Sequence, residues 1–447
     1  MHARYPVLLS LCAALLCASS PASAQIGKRF PSERRVVIDP VTSVPLTFLT
    51  TKAHGDSKIY PTHPQWTADG KWVVFRSRLA GNEALAVNEQ TGDIVQVSEG
   101  GYSGMLNLAR KAMKLVFMRR ADAGLQVVEV DLARVFADSA AERMGPASSY
   151  QRVAATLPAA LQAGGDLALD ADEETVYFSV GKEEAARHLA AGTKLEAAFG
   201  PRKMGAGPGG IARLNMRTGE VKHVVSVPFQ VGHIQANLWK PGEIVFCWET
   251  GGKSPQRTWT VQADGSGLRP LYPEASYEWV THEAVISKDE VAMAIMGHRA
   301  IPGAAAAVAA PATDVGGANP GQDDGWGQTG TREKPSGLAI VNLRTRQMKI
   351  VGQTPEGSGF WHVHGSSDGR FAVGDDFSRS LHLIDRRTGE MKLLTTGHKT
   401  TAADHPHPTF NAEGTKIEIQ SAMLSEDGRT MNIAIVPVPE AWLKRAP

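Results

Sequence analysis

The sequence predicts an all-β chain folded as a seven-bladed β-propeller with four-stranded antiparallel blades, and three observations carry that expectation. One unit recurs: His63-Pro64-Gln65-Trp66-Thr67-Ala68-Asp69-Gly70 and its following strand return as His362 to Asp368-Gly369 and as His407 to Glu413-Gly414. In all three, His stands six positions ahead of the turn acid, and such self-similarity decides architecture before any local signal does. A second turn is also repeated: Asn88-Glu89-Gln90-Thr91-Gly92-Asp93, Asn215-Met216-Arg217-Thr218-Gly219-Glu220 and Asp385-Arg386-Arg387-Thr388-Gly389-Glu390, with a Gly-less version at Asn342-Leu343-Arg344-Thr345-Arg346-Gln347. Each joins two apolar strands, as a hairpin turn does. Finally, helix signals are nearly absent outside 183–198. Two hairpins per unit, repeated around a ring, make a propeller.

Taken in order, the chain opens on His2 and Arg4, an apolar run over 7–17, and Ala22-Ser23-Ala24. That pattern is expected of a cleaved signal peptide over 1–24, which places the propeller in 25–447 and the protein in the periplasm or outside the cell. Cys12 and Cys17 leave with the leader, so only Cys247 remains and no intramolecular disulfide can form. The segment 44–49 is expected to pair with 431–438 and close the ring, which removes exposed sheet edges. Aligning later strands on the unit at 63 places Met105, Asp166, Ile234 (with His233 beside it), His282, His362 and His407 at the His position. The longest interval falls between blades five and six, where the Ala/Gly/Pro-rich 302–335 reads as a mobile loop insertion. Lys and Arg total 47 against 46 Asp and Glu, with no basic run and no second apolar run, so neither nucleic acid nor a membrane span is expected. A monomer and a homodimer both remain open.

The repeat has a geometric consequence. Equivalent positions at the start of each innermost strand surround one end of the central channel. Five of the seven carry His there or beside it: His63, His233, His282, His362 and His407, with His364 and His405 close by. Converging neutral imidazoles suit Mn, Fe, Ni or Zn, and His282, His405 and His407 are the expected metal ligands. The plainer alternative is a folding module, since the Pro-x-aromatic-x-x-Asp-Gly element resembles that of TolB-type propellers, in which a His such as His63 would bond a neighbouring blade. Other chemistry is poorly served. There is no Gly-x-Ser-x-Gly elbow, and the glycines of 205–210 lack the strand-turn-helix context of a nucleotide loop.

Several stretches resemble one family. Thr281-His282-Glu283, Asp404-His405-Pro406-His407-Pro408-Thr409-Phe410, Gly232-His233 followed by Val245-Phe246-Cys247, and Arg257-x-Trp259-x-Val261 with Asp264-Gly265-Ser266 are similar to the oligogalacturonate lyases, seven-bladed propeller polysaccharide lyases. The resemblance implies a manganese-type ion, with Zn2+, Ni2+ or Fe2+ as alternatives, held by His282, His405 and His407. It also matches His362 to a further family His, a substrate contact. Two positions depart from the pattern: Ala402 stands where the family has a ligating Gln, and Trp248 where it has a basic His.

The chemistry so implied is β-elimination on a uronate oligosaccharide. A cation and an Arg neutralise the uronate carboxylate, and a base removes the proton alpha to it. With Trp248 unable to accept a proton, the candidate bases are His233, His63 and Tyr60. Arg213 and Arg257 are the candidates for the carboxylate, and Trp248 for stacking on a sugar ring. Oligogalacturonate is the first expected substrate and a glucuronate-containing glycan the second. A non-catalytic scaffold and a metal-dependent hydrolase or lactonase are the competing readings.

Overall fold

Seven antiparallel sheets stand around a common channel in the computed structural model, which describes residues 25–199, 202–250, 254–275, 278–296, 336–354 and 359–445. The expected leader at 1–24 and loop at 302–335 lie outside the described residues. Blades two to six have four strands each, and blades one and seven have five. The extra strand of blade one is Arg29–Phe30, paired outside Ile94–Gln96. Blade seven runs from Thr409–Phe410 through Lys416–Ser421 and Asn432–Pro437, and then takes Pro45–Phe48 and Arg35–Ile38 from the other end of the chain. Thr47 pairs with Ile435 and Phe48 with Ala434, so the ring closes as the sequence predicts.

The core is divided among the blade interfaces. Phe117 and Leu106 meet Ile59 and Val74 between blades one and two, and Phe75 meets Ile433 between blades one and seven. Five further apolar clusters fill the remaining interfaces. Alternation explains this, because each strand buries one set of side chains against each neighbouring blade.

The turns hold themselves together. Asp69 Oδ1 accepts from Thr67 Oγ1 at 2.6 Å and from Lys71 N at 3.1 Å, and Gly70 sits at φ +67°. Asp368 and Gly369 repeat this with Ser366 and Arg370. In the second turn type, Asn88, Asn215, Asn342 and Asp385 each accept backbone N–H bonds from the residues two and three ahead. These Asx turns need no other partner, so both motifs serve folding.

Helix is sparser at 183–198 than the sequence suggests: only Lys182–Arg187 is helical. A helix that sequence reading overlooks, Leu132–Ala140, lies in blade two, capped by Asp131 Oδ1 accepting from Arg134 N. It buries Leu132, Val135 and Phe136, the last stacked on Trp72 at 4.1 Å between centroids.

The Gly-less turn offers a direct check of the repeat. Gly92, Gly219 and Gly389 adopt φ of +78°, +77° and +75°, and Arg346 is forced to +62° at the same place. A side chain in that left-handed region costs about 1 kcal/mol. Arg346→Gly is therefore expected to raise stability by up to about 1 kcal/mol, measured as the urea midpoint.

Candidate metal centre

At one end of the channel the inner strands begin irregularly, and that irregularity aims the histidines. Pairing slips between Gly232 and Gln235 in blade four, Thr281 and Ala284 in blade five, and Phe360 and Val363 in blade six. A bulge of this kind turns one side chain out of the alternating pattern. His233, His282 and His407 occupy the left-handed region at φ +49°, +53° and +53°, while blade two has Gly104 at +74° in its bulge. Such strain in non-glycine residues persists where surrounding structure enforces it, characteristically at functional sites.

Four imidazoles meet there. The His362 ring lies 4.1 Å from that of His282, 3.8 Å from His407 and 5.3 Å from His405. All four residues are buried or nearly so. Their outer atoms are tied to supporting groups: His282 Nδ1 bonds Tyr60 Oη at 2.7 Å, and His405 Nδ1 bonds Asp375 Oδ2 at 2.7 Å. Fixing one ring nitrogen leaves the other to face inward, the usual arrangement around a protein-bound metal. His282 Nε2, His362 Nδ1 and His407 Nε2 are buried without a hydrogen-bond partner. His407 Nε2 does lie 3.2 Å from Asp404 Oδ1, off hydrogen-bond geometry. Buried polar atoms without partners are uncommon, and a cation is one way to satisfy them. Among the described residues the ligand atoms that lie within 4.8 Å of one another are those of His362, Asp375 and His405, and separately those of His233, Cys247 and Glu283, so the expected set of His282, His405 and His407 is not drawn together as one group. Burial, reinforced by the neighbouring histidines, holds His282 and His362 far below the ordinary imidazole range. They are thus in the neutral, ligating form. Burial raises the Asp404 carboxyl, but the adjacent His407 outweighs this and keeps it ionised.

Beside this cluster stands a charged chain. Arg257 Nε donates to Glu283 Oε2 at 2.8 Å, and Glu283 Oε1 lies 3.3 Å from His233 Nδ1. On the other side of the ring, His233 Nε2 is 3.5 Å from Glu249 Oε2. Burial disfavours the imidazolium, but the Glu283 contact and the charge of Glu249 outweigh it, so the His233 pKa is raised. Burial likewise opposes ionisation of Glu283, whose carboxyl the Arg257 guanidinium and His233 hold well below its usual range. Tyr60 packs against this His too, 5.2 Å between centroids, and so touches both clusters.

The structure thus brings together His233, Tyr60, Arg257, His282, His362, His405 and His407. It sends three other expected site residues elsewhere. His63 is locked into the fold, with Nδ1 on Thr62 Oγ1 and Nε2 on the Leu167 carbonyl, at 2.7 and 2.8 Å, so it has no nitrogen left for a substrate proton. Arg213 lies opposite Tyr177 and Lys222, close to the Asn215 turn, because its antiparallel strand has by then run to the far end of the blade. Trp248 is core, stacked on Phe229 at 5.0 Å with Nε1 donating to the Gly205 carbonyl, and it offers no face to a sugar. Arg257 reaches the site but is committed to Glu283. Sequence reading passed over Glu283, Glu249, Asp375 and Asp404; only the adjacency of Glu283 to His282, and of Asp404 to His405, could have flagged two of them. His364, two residues from His362, faces a cavity of about 130 Å³ at the opposite end of the channel, shared with Gln65, Arg110 and Trp239.

Neither a family model nor a curated protein matches this sequence. Among solved structures, the chain is similar to an oligogalacturonate lyase in complex with manganese, at TM-score 0.69 and 16% identity over 94% of this chain and 100% of that one. It is also similar to an oligogalacturonate lyase from Vibrio parahaemolyticus, at TM-score 0.68 and 19% identity over 94% and 100% of the two chains. At these identities the likeness is one of fold, and it runs the length of both structures.

Two outcomes are expected. Arg257→Met, which strands the buried Glu283 carboxylate, should cost about 3–5 kcal/mol of unfolding free energy. Glu283→Gln with Arg257→Met should recover part of that loss. For His63, burial lowers the pKa from 6.5 to about 4, so its contribution is complete above the unfolded value and fades as pH falls through the folded one. Between pH ~7 and ~4.5 this one residue should cost about 2 kcal/mol, and His63→Gln should flatten that part of the profile of urea midpoint against pH.

Proposed function

We propose that this protein is an exported, metal-dependent lyase that cleaves uronate-containing oligosaccharides by β-elimination. The observation that carries the reading is the cluster of His282, His362, His405 and His407, with three buried nitrogens unpartnered at one end of the channel. The fold it stands on is shared with oligogalacturonate lyases, one of them a manganese complex. The export assignment comes from the leader pattern at 1–24.

His282, His405 and His407 would hold the cation. When bound, it supplies the positive charge that offsets the uronate carboxylate and so acidifies the neighbouring C–H. Tyr60 and Asp375 set the tautomers of His282 and His405 through the bonds already described. His233 is the base: its side chain is 24% exposed, and Glu283 stands 3.3 Å from Nδ1, which leaves Nε2, 3.5 Å from Glu249 Oε2, to take the proton. Arg257 anchors Glu283 and does not itself meet the substrate carboxylate.

Proton abstraction needs neutral His233, and Glu283 and Glu249 both favour the charged form. Activity therefore rises as pH climbs through the raised His233 pKa. The carboxylates of Glu249, beside His233, and of Asp404, beside His407, disfavour a densely anionic chain. A mixed glycan with isolated glucuronate residues accordingly stands beside oligogalacturonate as a substrate.

The test is ultraviolet absorbance of the unsaturated uronate product across a panel of uronate oligosaccharides, with and without chelator. A chelator-sensitive signal that His405→Ala abolishes, and that His233→Gln lowers roughly 10²–10⁴-fold, is the expected result. Metal binding with no unsaturated product on any uronate would point to hydrolysis instead. A protein that binds no metal and turns over nothing would be a scaffold.

A further inference from the structure

The sulfur of Cys247 has no part in the chemistry described so far, yet it lies against the chain of groups meant for proton transfer. Cys247 pairs with Gly232 in blade four, and the slip that follows Gly232 leaves the His233 ring beside the thiol. Glu283 arrives from blade five, and Gln235 fixes it there: Nε2 donates to the Glu283 carbonyl and Oε1 accepts from Val285 N, both at 2.9 Å. One nitrogen of His233, Cys247 Sγ and one carboxylate oxygen of Glu283 consequently lie within 4.8 Å of one another. Ligand atoms around a tetrahedral zinc ion stand roughly 3.3–3.8 Å apart. The separation of His233 Nδ1 and Glu283 Oε1, 3.3 Å, is already at that spacing.

Two of these groups present an open polar atom. Glu283 is fully buried; Arg257 takes its Oε2, and Oε1 has no hydrogen bond. His233 Nδ1, beside that oxygen but off hydrogen-bond geometry, has none either. Cys247, equally enclosed, directs its weak S–H donor to Glu249 Oε2 at 3.5 Å. A buried carboxylate oxygen and a buried imidazole nitrogen left open side by side are costly, and a cation between them satisfies both. The charges agree. Glu283 and Glu249 carry two negative charges against one positive charge on Arg257. A thiolate would bring the excess to two, which one divalent cation balances. Entry is by way of His233, whose side chain is 24% exposed.

We propose that His233, Cys247 and Glu283 form a second metal site, for a thiophilic divalent cation of the zinc class, separate from the imidazole cluster. Sulfur, imidazole and carboxylate together are a zinc-type donor set, whereas Mg2+, Ca2+ and Mn2+ favour oxygen. The cation displaces the thiol proton to solvent, and the sulfur binds as thiolate. An ion held here also occupies the imidazole read above as the base, so it switches the lyase off. That consequence rests on the proposed function; the site itself does not.

The test titrates Cd2+, a spectroscopic stand-in for Zn2+, into the full chain under reducing conditions with Mn2+ in excess, and follows the ultraviolet thiolate-to-cadmium charge-transfer band. Cys12→Ser and Cys17→Ser leave Cys247 as the one thiol. The band is expected to saturate at one equivalent, to be displaced by Zn2+, to be absent from Cys247→Ser, and to need at least about 10-fold more Cd2+ in His233→Gln. In the lyase assay, Cys247→Ser should need about 10-fold more Zn2+ than the wild type for the same fractional inhibition of its own rate. No band, or a band whose affinity His233→Gln leaves unchanged, would overturn the site and leave the lyase reading standing. The expected band in a chain that turns over no uronate would establish the site and overturn the lyase reading instead. If His233→Gln does not fold, cadmium X-ray absorption of the wild-type complex decides: sulfur with an imidazole supports the site, and sulfur without one overturns it.

Discussion

The pairing of Pro45–Phe48 with Asn432–Pro437 is the contact on which the rest of the molecule depends. Blades in a propeller touch only their two neighbours, so each apolar interface is complete only if the ring is closed. Closure also brings opposite ends of the sequence into register. Lys58 N donates to Gln420 Oε1, and Gln420 Nε2 donates to the His405 carbonyl, so the segment leading to Tyr60 is fixed directly against the segment carrying His405 and His407. Without the N-terminal strand in blade seven, Tyr60 would have no reason to stand over His282. The site is therefore assembled by the same contact that completes the core.

Around that frame, the channel end concentrates features that elsewhere would be costly. Three histidines adopt left-handed backbone conformations, four ring nitrogens lack hydrogen-bond partners, and Glu283 is ionised with no exposure at all. Outer groups hold part of this arrangement: Tyr60 for His282, Asp375 for His405, and Arg257 for Glu283. A buried carboxylate survives as an ion only when paired, and Arg257 meets that need at the expense of its own availability to a substrate. The two halves of the site consequently differ in character. The imidazole cluster suits a cation, and the Arg257–Glu283–His233 chain suits proton transfer. Tyr60 lies between them and touches both.

Much of this was legible in the sequence for a simple reason. Repetition converts a one-dimensional interval into an angular position around a ring, so His282, His362 and His407 could be placed at one channel end from spacing alone. The closing strand was legible for the same reason, as an apolar segment left over at each end of the repeats. His63 shows the limit of the method: it has the same phase as the others, yet its ring bonds the Leu167 carbonyl of blade three. Phase fixes where a residue starts, and the neighbouring blades decide where its side chain ends. Trp248 and Arg213 fail similarly, since strand alternation and direction place one against Phe229 and the other at the far end of its blade.

What the sequence by itself determined is the architecture: seven antiparallel blades, their turns, their closure, and the recurrence of His at inner-strand starts. These follow from local rules, in which turn chemistry and period-two alternation act over a few residues. Only the tertiary structure decided which imidazoles lie against one another, which carboxylates support them, and which Arg is already engaged. Those outcomes turn on contacts such as Asp375 with His405, or Arg257 with Glu283, between residues 30 and 26 positions apart, one on a strand and the other in the segment leading into another. Contacts of that kind depend on register slips and backbone angles at the channel end, and a chain encodes these through its packing as a whole and carries no local signal for them.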